Sequence, residues 1–406
     1  MLAQALAALA LAIWLYLLLG RGGFWLSAER DDGPLAPVAA WPQLTVVIPA
    51  RDEAEGIGAC IGSLLQQDYP GEWRIILVDD GSSDGTASIA RQTAAAPTLT
   101  LPRLRGRESE GDLLNVVAGA PLTAGWTGKL WAVKQGVDVA MRISPTPQYL
   151  LLSDADIVYA PDTLTSLVAR AQAGGLVLTS LMVKLRCESL AERALIPAFI
   201  FFFQMLYPFA WINRVTAATA GAAGAAGGCM LVRADTLRQA GGIEAIRNAL
   251  IDDCALAKVL KAQGPIWLGL TERAHSIRRY PDFEDIRRMV ARSAYAQLHY
   301  SPLILLGVLA GMVVTYLAPP LFAFFGTGSA RLMGLTAWVL MAVAFQPTLR
   351  FYRVSPLWGI GLPAIAFCYT LFTLDSAVQF WRGKGGLWKG RIQAEGQRND
   401  SMESIE

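Results

Sequence analysis

Histidine is almost missing, with His275 and His299 the only two in 406 residues. That excludes a histidine-rich metal centre and most Ser-His-Asp hydrolytic schemes. Charge is scarce too, at 17% of residues, and it nearly cancels to +2, which argues against nucleic acid as a general partner. Five cysteines (Cys60, Cys187, Cys229, Cys254 and Cys368) are scattered without a Cys-x-x-Cys pair. They propose neither a disulfide framework nor a zinc site, and read as buried thiols. Apolar surface stands where charge is lacking: 53% of the residues are hydrophobic, and several runs approach the length needed to cross a bilayer.

Residues 2–19 are almost wholly apolar and no charge precedes them, which favours an anchor over a cleavable signal peptide. Arg21 and Arg30 follow, and positive charge there places the C-terminal side of the anchor in the cytoplasm. The expected organisation is a transmembrane anchor at 1–20 and a linker at 21–42, rich in Pro, Ala and Gly from Asp31 onward. A cytoplasmic domain at 43–300, a C-terminal transmembrane region at 301–381 and a polar tail at 382–406 follow. Three apolar stretches, 303–325, 332–345 and 357–381, lie in that C-terminal region, with Asp375 the one clear charge inside them. Three spans after the anchor would leave the C-terminus outside, yet Arg382, Lys384, Lys389 and Arg391 favour the inside. Either one stretch is re-entrant or the charge rule fails.

Residues 149–157, Tyr-Leu-Leu-Leu-Ser-Asp-Ala-Asp-Ile, read as a buried strand that ends in Asp154 and Asp156. Carboxylates at i and i+2 of an extended strand point the same way. In an open α/β sheet, ligands bind at the carboxyl ends of the strands. Two hard oxygen ligands there suit Mg²⁺ or Mn²⁺ held partly by a substrate diphosphate. The plainer reading is capping of the helix that Pro161-Asp162 opens.

Residues 43–49 form a second strand, and Arg51-Asp52-Glu53 leads from it into a helix burying Ile57, Ile61 and Leu64. Residues 73–79 form a third, with Asp79 and Asp80 at its end. Strand, helix and strand at this spacing make a parallel α/β unit, with the acidic clusters on one edge. Two adjacent carboxylates at a buried strand end are costly without a ligand, so Asp79 and Asp80 read as functional. Asp84 reads as a helix N-cap beside Thr86.

Three segments, Val47-Ile48-Pro49-Ala50-Arg51-Asp52-Glu53, Val78-Asp79-Asp80-Gly81-Ser82-Ser83-Asp84-Gly85-Thr86 and Leu152-Ser153-Asp154-Ala155-Asp156, occur in an order and spacing that resemble the nucleotide-sugar domain of family 2 glycosyltransferases. The resemblance implies an α/β GT-A (Rossmann-like) fold and a UDP-sugar donor. It places Pro49, Asp52, Glu53, Asp79, Asp80, Lys129 and Asp154 at the nucleotide sugar, and Asp154 and Asp156 on the Mg²⁺ or Mn²⁺. Lys129 follows a glycine at a helix start, where it would meet a phosphate or else be a solvated lysine; Lys134 reads as surface.

The family carries Glu-Asp at the start of a later helix, its Asp the catalytic base. Here the pair is Asp252-Asp253, so Asp253 matches the base and Asp252 replaces the Glu. A carboxylate there would take the acceptor hydroxyl proton, while the metal stabilises the departing diphosphate. Asp252 is also expected to cap that helix. The glycine- and alanine-rich stretch 216–228 reads as a pliable loop or a backbone closely approached by a ligand, and the strand after it resembles the family's acceptor side. Processive members carry Gln-x-x-Arg-Trp; Arg292 takes the arginine position, but Gln and Trp are absent, which argues against a polysaccharide synthase. Arg292 is expected, with Asp252, to contact the acceptor or a phosphate. The basic helix around it would also suit a membrane surface. A variable-looking loop at 97–125 carries Arg103, Arg105 and Arg107.

Residues 194–212 carry Phe199, Phe201, Phe202, Phe203, Tyr207, Phe209 and Trp211, interrupted by Pro197 and Pro208. This segment is expected in the headgroup zone, or else as a helix in the core. The layout as a whole resembles the bacterial hopene-associated glycosyltransferases, relatives of ceramide glucosyltransferase. It implies an inverting transfer from a UDP-sugar to a hopanoid or similar lipid hydroxyl at the bacterial cytoplasmic membrane. The rival readings are a polyprenyl-phosphate glycosyltransferase, with Arg287, Arg288 and Arg292 around the acceptor phosphate, and a transporter or scaffold with a degenerate nucleotide domain.

Overall fold

The structure, a computed structural model, describes residues 1–34, 37–96, 113–214, 219, 221–388 and 391–392. Arg103, Arg105, Arg107 and Lys389 therefore lie outside the described residues. The chain divides into two units. One comprises 29–185, 212–278 and 388–406, and the other comprises 1–28, 186–211 and 279–387.

The first unit is built on eight strands: β1 Leu44–Ala50, β2 Trp73–Asp79, β3 Leu114–Ala118, β4 Tyr149–Ser153, β5 Ile157–Tyr159, β6 Leu178–Lys184, β7 Cys229–Arg233 and β8 Ile266–Ser276. Their order is β3-β2-β1-β4-β7-β6-β8-β5. The first four run parallel, and β1 is buried along its whole length, as an unbroken apolar run in a sheet covered on both faces should be. β7 enters antiparallel between β4 and β6, which makes the sheet mixed. Register aligns Ala50 with Asp79 and Leu44 with Tyr149, so β1, β2 and β4 release their acidic loops at one edge. The helix Ala54–Leu65 buries Ile57, Ile61 and Leu64 at the spacing of one helical face. The middle of the expected linker is itself tied down: Arg30 bridges to Leu270, and the buried Asp31 accepts from Thr271 Oγ1 at 2.6 Å. A buried carboxylate of this kind is retained because it is hydrogen-bonded.

The second unit is helical. Among the described residues three helices are long and apolar enough to cross a membrane: Leu2–Leu19, Pro302–Phe325 and Gly328–Phe351. The middle one widens into a π segment at Val313–Leu317, and Trp14 Nε1 donates to the Thr315 carbonyl at 2.8 Å. Such a donor serves a carbonyl where helix geometry loosens. The stretch expected at 332–345 lengthens at both ends into the 24-residue helix Gly328–Phe351. The last stretch also forms a helix, Leu362–Trp381, but it is not among those three. Its Asp375 pairs with Arg287 of the helix Phe283–Ala291, and its Ser376 Oγ accepts from the Tyr295 N–H at 3.0 Å.

Pro197 does not interrupt the aromatic segment. It sits inside the helix Leu190–Leu206, which opens with a capping box between Ser189 and Glu192. Helical spacing puts Phe201 and Phe202, expected at the headgroup level, into the interior, where they meet Phe345, Tyr316 and Tyr369.

Candidate active site

The loops leaving β1 and β2 are laced together. Asp52 adopts left-handed backbone geometry, φ +49°, which aspartate tolerates better than most residues. Its Oδ1 accepts from the Ser83 N–H at 2.8 Å, and its own N–H donates to Ser82 Oγ at 3.0 Å. Asp84 accepts from the N–H of Thr86 at 3.0 Å and from that of Ala54 at 2.9 Å, so it holds both the helix start and the neighbouring loop. Burial would raise its pKa, but these hydrogen bonds win and hold the carboxyl below its ordinary value. Asp80 is buried beside Arg51, with Nη1 3.5 Å away, while Asp79 Oδ1 accepts from the Ser82 N–H at 3.0 Å. The cost of two adjacent carboxylates is thus met in part by the loop itself.

The helix Gly128–Met141 is N-capped by Thr127, whose side chain accepts from the Leu130 N–H. Its first turn aims Lys129 at the strand exits: Nζ lies 2.9 Å from Asp154 Oδ1 and 3.2 Å from Asp252 Oδ2. Lys129 is therefore not a solvated lysine. Burial disfavours its charge, but Asp154 and Asp252 outweigh that and raise its pKa above the ordinary value. On the other side, Asp156 Oδ2 accepts from Ser276 Oγ at 2.9 Å and from Arg278 Nε at 3.0 Å. Arg278 reaches on through Nη2 to Glu53 Oε1 at 2.9 Å. The Asp154 side chain is 35% exposed and that of Asp156 11%. Neither caps a helix; the next one, Thr163–Ala173, starts behind Asp162.

This donor set fits Mg²⁺ or Mn²⁺ as a shared site. Asp154 engages Lys129 through one oxygen and Asp156 engages its partners through one, and the second oxygen of each is a hard ligand. Among the described residues no three His, Cys, Asp or Glu side chains are grouped to hold an ion by themselves. Substrate oxygens and water would complete such a shell.

Asp253 lies in the first turn of the helix Asp252–Lys261. The N-cap there is Ile251, so Asp252 does not cap; its carboxylate goes to Lys129 instead. Asp253 Oδ2 accepts from the Gly227 N–H at 2.9 Å and Oδ1 from the Cys254 N–H at 2.7 Å. A Cβ on residue 227 would stand 3.4 Å from both Asp253 Oδ2 and Lys129 Nζ, so this backbone lies in contact distance of both groups. Burial first, and then the charge of Asp252, push Asp253 up to about 6. A carboxyl titrating there is ionised at neutral pH and still basic enough to take a proton. Pro49, Lys129, Asp154, Gly227 and Asp252 line a cavity of about 20 Å³, room for roughly one water.

Arg292 belongs to the helical unit, where it is exposed at the end of the helix Phe283–Ala291. Lys134 makes ion pairs with Asp138 and Glu244. Arg278, Ser276 and the Gly227 amide are additions of the structure. The one signal for Arg278 was a basic residue just beyond a strand end.

Residues 45–239 match the family model described as glycosyl transferase family 2. The fold is similar to that of mannosyltransferase PcManGT from Pyrobaculum calidifontis, solved with GDP-Man and Mn²⁺, at a TM-score of 0.52 and 18% identity, covering 96% of this chain and 100% of that one. The chain carries a family 2 glycosyltransferase domain of GT-A fold. Among curated relatives, glycosyltransferase AglE of Haloferax volcanii is 43% identical over 56 residues, 14% of this chain and 18% of that protein. The 4,4'-diaponeurosporenoate glycosyltransferase of Staphylococcus aureus strain USA300 is 29% identical over 133 residues, 32% and 29% of the two. The matched stretches thus span less than a third of either relative.

Proposed function

We propose that this protein is a membrane-bound inverting glycosyltransferase that moves a sugar from a UDP-sugar to a lipid hydroxyl, a hopanoid or a similar acceptor. The observation that carries the reading is Asp253, fixed by two backbone N–H groups in the acidic cluster that also holds Lys129 and Asp154. Asp253 takes the proton of the acceptor hydroxyl as its oxygen attacks the anomeric carbon. The bond from that carbon to the diphosphate breaks, and its electron pair leaves on the nucleoside diphosphate. Pro49, Asp52, Glu53, Asp79 and Asp80 frame the nucleotide, and Asp154 and Asp156 would hold Mg²⁺ or Mn²⁺. When bound, the ion neutralises charge on the leaving diphosphate. Lys129 and Arg278 add positive charge from the protein beside it. The complex of PcManGT with GDP-Man and Mn²⁺ supports a metal-assisted nucleotide-sugar site, and the staphylococcal relative is named for 4,4'-diaponeurosporenoate.

We place the chain in the bacterial cytoplasmic membrane, with three spans. If Leu2–Leu19 ends on the cytoplasmic side, the pair Pro302–Phe325 and Gly328–Phe351 crosses and returns, and Arg382 and Lys384 stay inside as their charge requires. The helix Leu362–Trp381 then does not span, in keeping with its Asp375–Arg287 ion pair. A polyprenyl-phosphate acceptor is disfavoured, because Arg287 and Arg288 already pair with Glu284.

The test is transfer by the full chain in nanodiscs with Mn²⁺ or Mg²⁺. UDP- and GDP-sugars are offered with hopanoid, ceramide, diacylglycerol and polyprenyl-phosphate acceptors, and labelled lipid and nucleotide release are followed. The expected result is a UDP-sugar-dependent product on a lipid hydroxyl, with inverted anomeric configuration by NMR. Nucleotide release that no lipid stimulates, and that Asp253→Asn retains, overturns the reading.

A further inference from the structure

We propose that Lys129 is a built-in counter-cation that keeps a divalent ion off Asp154 until a nucleoside diphosphate arrives, so that metal and donor bind as a coupled pair. This rests on Asp154 and Asp156 being the ion's ligands. The ammonium already sits between two carboxylates, 2.9 Å from Asp154 and 3.2 Å from Asp252. It stands in the first turn behind the Thr127 cap, with the Gly227 backbone close in front. The ammonium holds one oxygen of Asp154, so an ion that arrives alone at the other oxygen meets its repulsion at close range.

The two cations of the site differ in what can move them. Arg278 is a planar fork engaged by Asp156 and Glu53 at once, a geometry that holds it in place. Lys129 is a point charge on a flexible stem, and Asp252 offers it a second anchor when Asp154 changes partner. An arriving diphosphate supplies the negative charge that draws the ammonium off and screens it from the metal. A metal ion alone supplies only repulsion.

Mn²⁺ binding to the full chain in nanodiscs, read from the loss of the free-ion EPR signal, tests this without reference to turnover. Titrations are run alone and with UDP or GDP, on protein whose thermal unfolding matches wild type. Wild type is expected to take up Mn²⁺ about tenfold or more tightly with nucleotide than without. Lys129→Gln, and Lys129→Met as its apolar counterpart, are expected to raise the metal-alone affinity by about tenfold and to shrink the nucleotide's effect. Lys129→Arg keeps the charge and should behave as wild type, as should Lys134→Gln. Metal-alone affinity unchanged in the neutral variants that fold, or raised as much by arginine, overturns the proposal. No uptake in any protein, with or without nucleotide, or uptake that Asp154→Asn with Asp156→Asn leaves intact, overturns the metal-site reading as well.

Discussion

The carboxylates at the edge of the sheet are held in two ways. Asp154 and Asp156 face side-chain cations, Lys129 and Arg278, whereas Asp253 is fixed by the backbone N–H groups of Gly227 and Cys254. Burial pushes the Asp154 carboxyl above its ordinary value against the pull of Lys129, but a carboxylate that faces a cation can exchange that partner for another cation. Asp253 has amides to orient it, but burial and the neighbouring Asp252 act against its charge, and it titrates at about 6. In the mechanism we propose, neighbouring acids divide the work: those opposite cations bind the donor, and the one opposite amides moves a proton.

This contrast can be broken at several points. Asp253→Asn should have the largest effect, lowering kcat by about 10³-fold while donor affinity by calorimetry stays within about threefold. Asp154→Asn should act on the donor side, lowering kcat/KM by about 10²-fold with weakened uptake of metal and nucleotide together. If these two variants share one kinetic signature, the division fails. Arg278→Ala leaves Asp156 and Glu53 without their shared partner and should raise the donor KM by about tenfold, with kcat within about threefold. Lys134→Ala, whose pairs with Asp138 and Glu244 lie away from the strand exits, should stay within about twofold in both constants.

Much of the donor edge was legible because its residues are local to the strands that carry them. Asp52, Asp80, Asp154 and Asp156 each lie within a few residues of the end of an apolar run, and parallel pairing brings such ends together. What cross-links them was not legible. Arg278 meets Asp156 across 122 residues, because β8 runs antiparallel to β5 and pairs Ser276 with Ile157, a register no local pattern announces. Gly227 lay in a run that reads as a pliable loop or a backbone approached by a ligand, and a glycine-rich run does not reveal which amide meets Asp253. Asp252 looked like a cap because an acid at a helix start usually is one, but Lys129 competes for it. The aromatic stretch was open between interface and interior, as both reward the same residues. The span count we propose rests in part on Asp375, whose partner Arg287 lies 88 residues earlier.

The most direct measurement is the pH dependence of kcat/KM for lipid glycosylation, in wild type and in Asp252→Asn. The proposed mechanism requires ionised Asp253, so the wild-type rate should fall as pH drops through about 6. Removing the neighbouring negative charge should move that fall to lower pH in Asp252→Asn. A wild-type rate that stays flat through this range, or a fall that Asp252→Asn leaves where it was, would contradict Asp253 as the base.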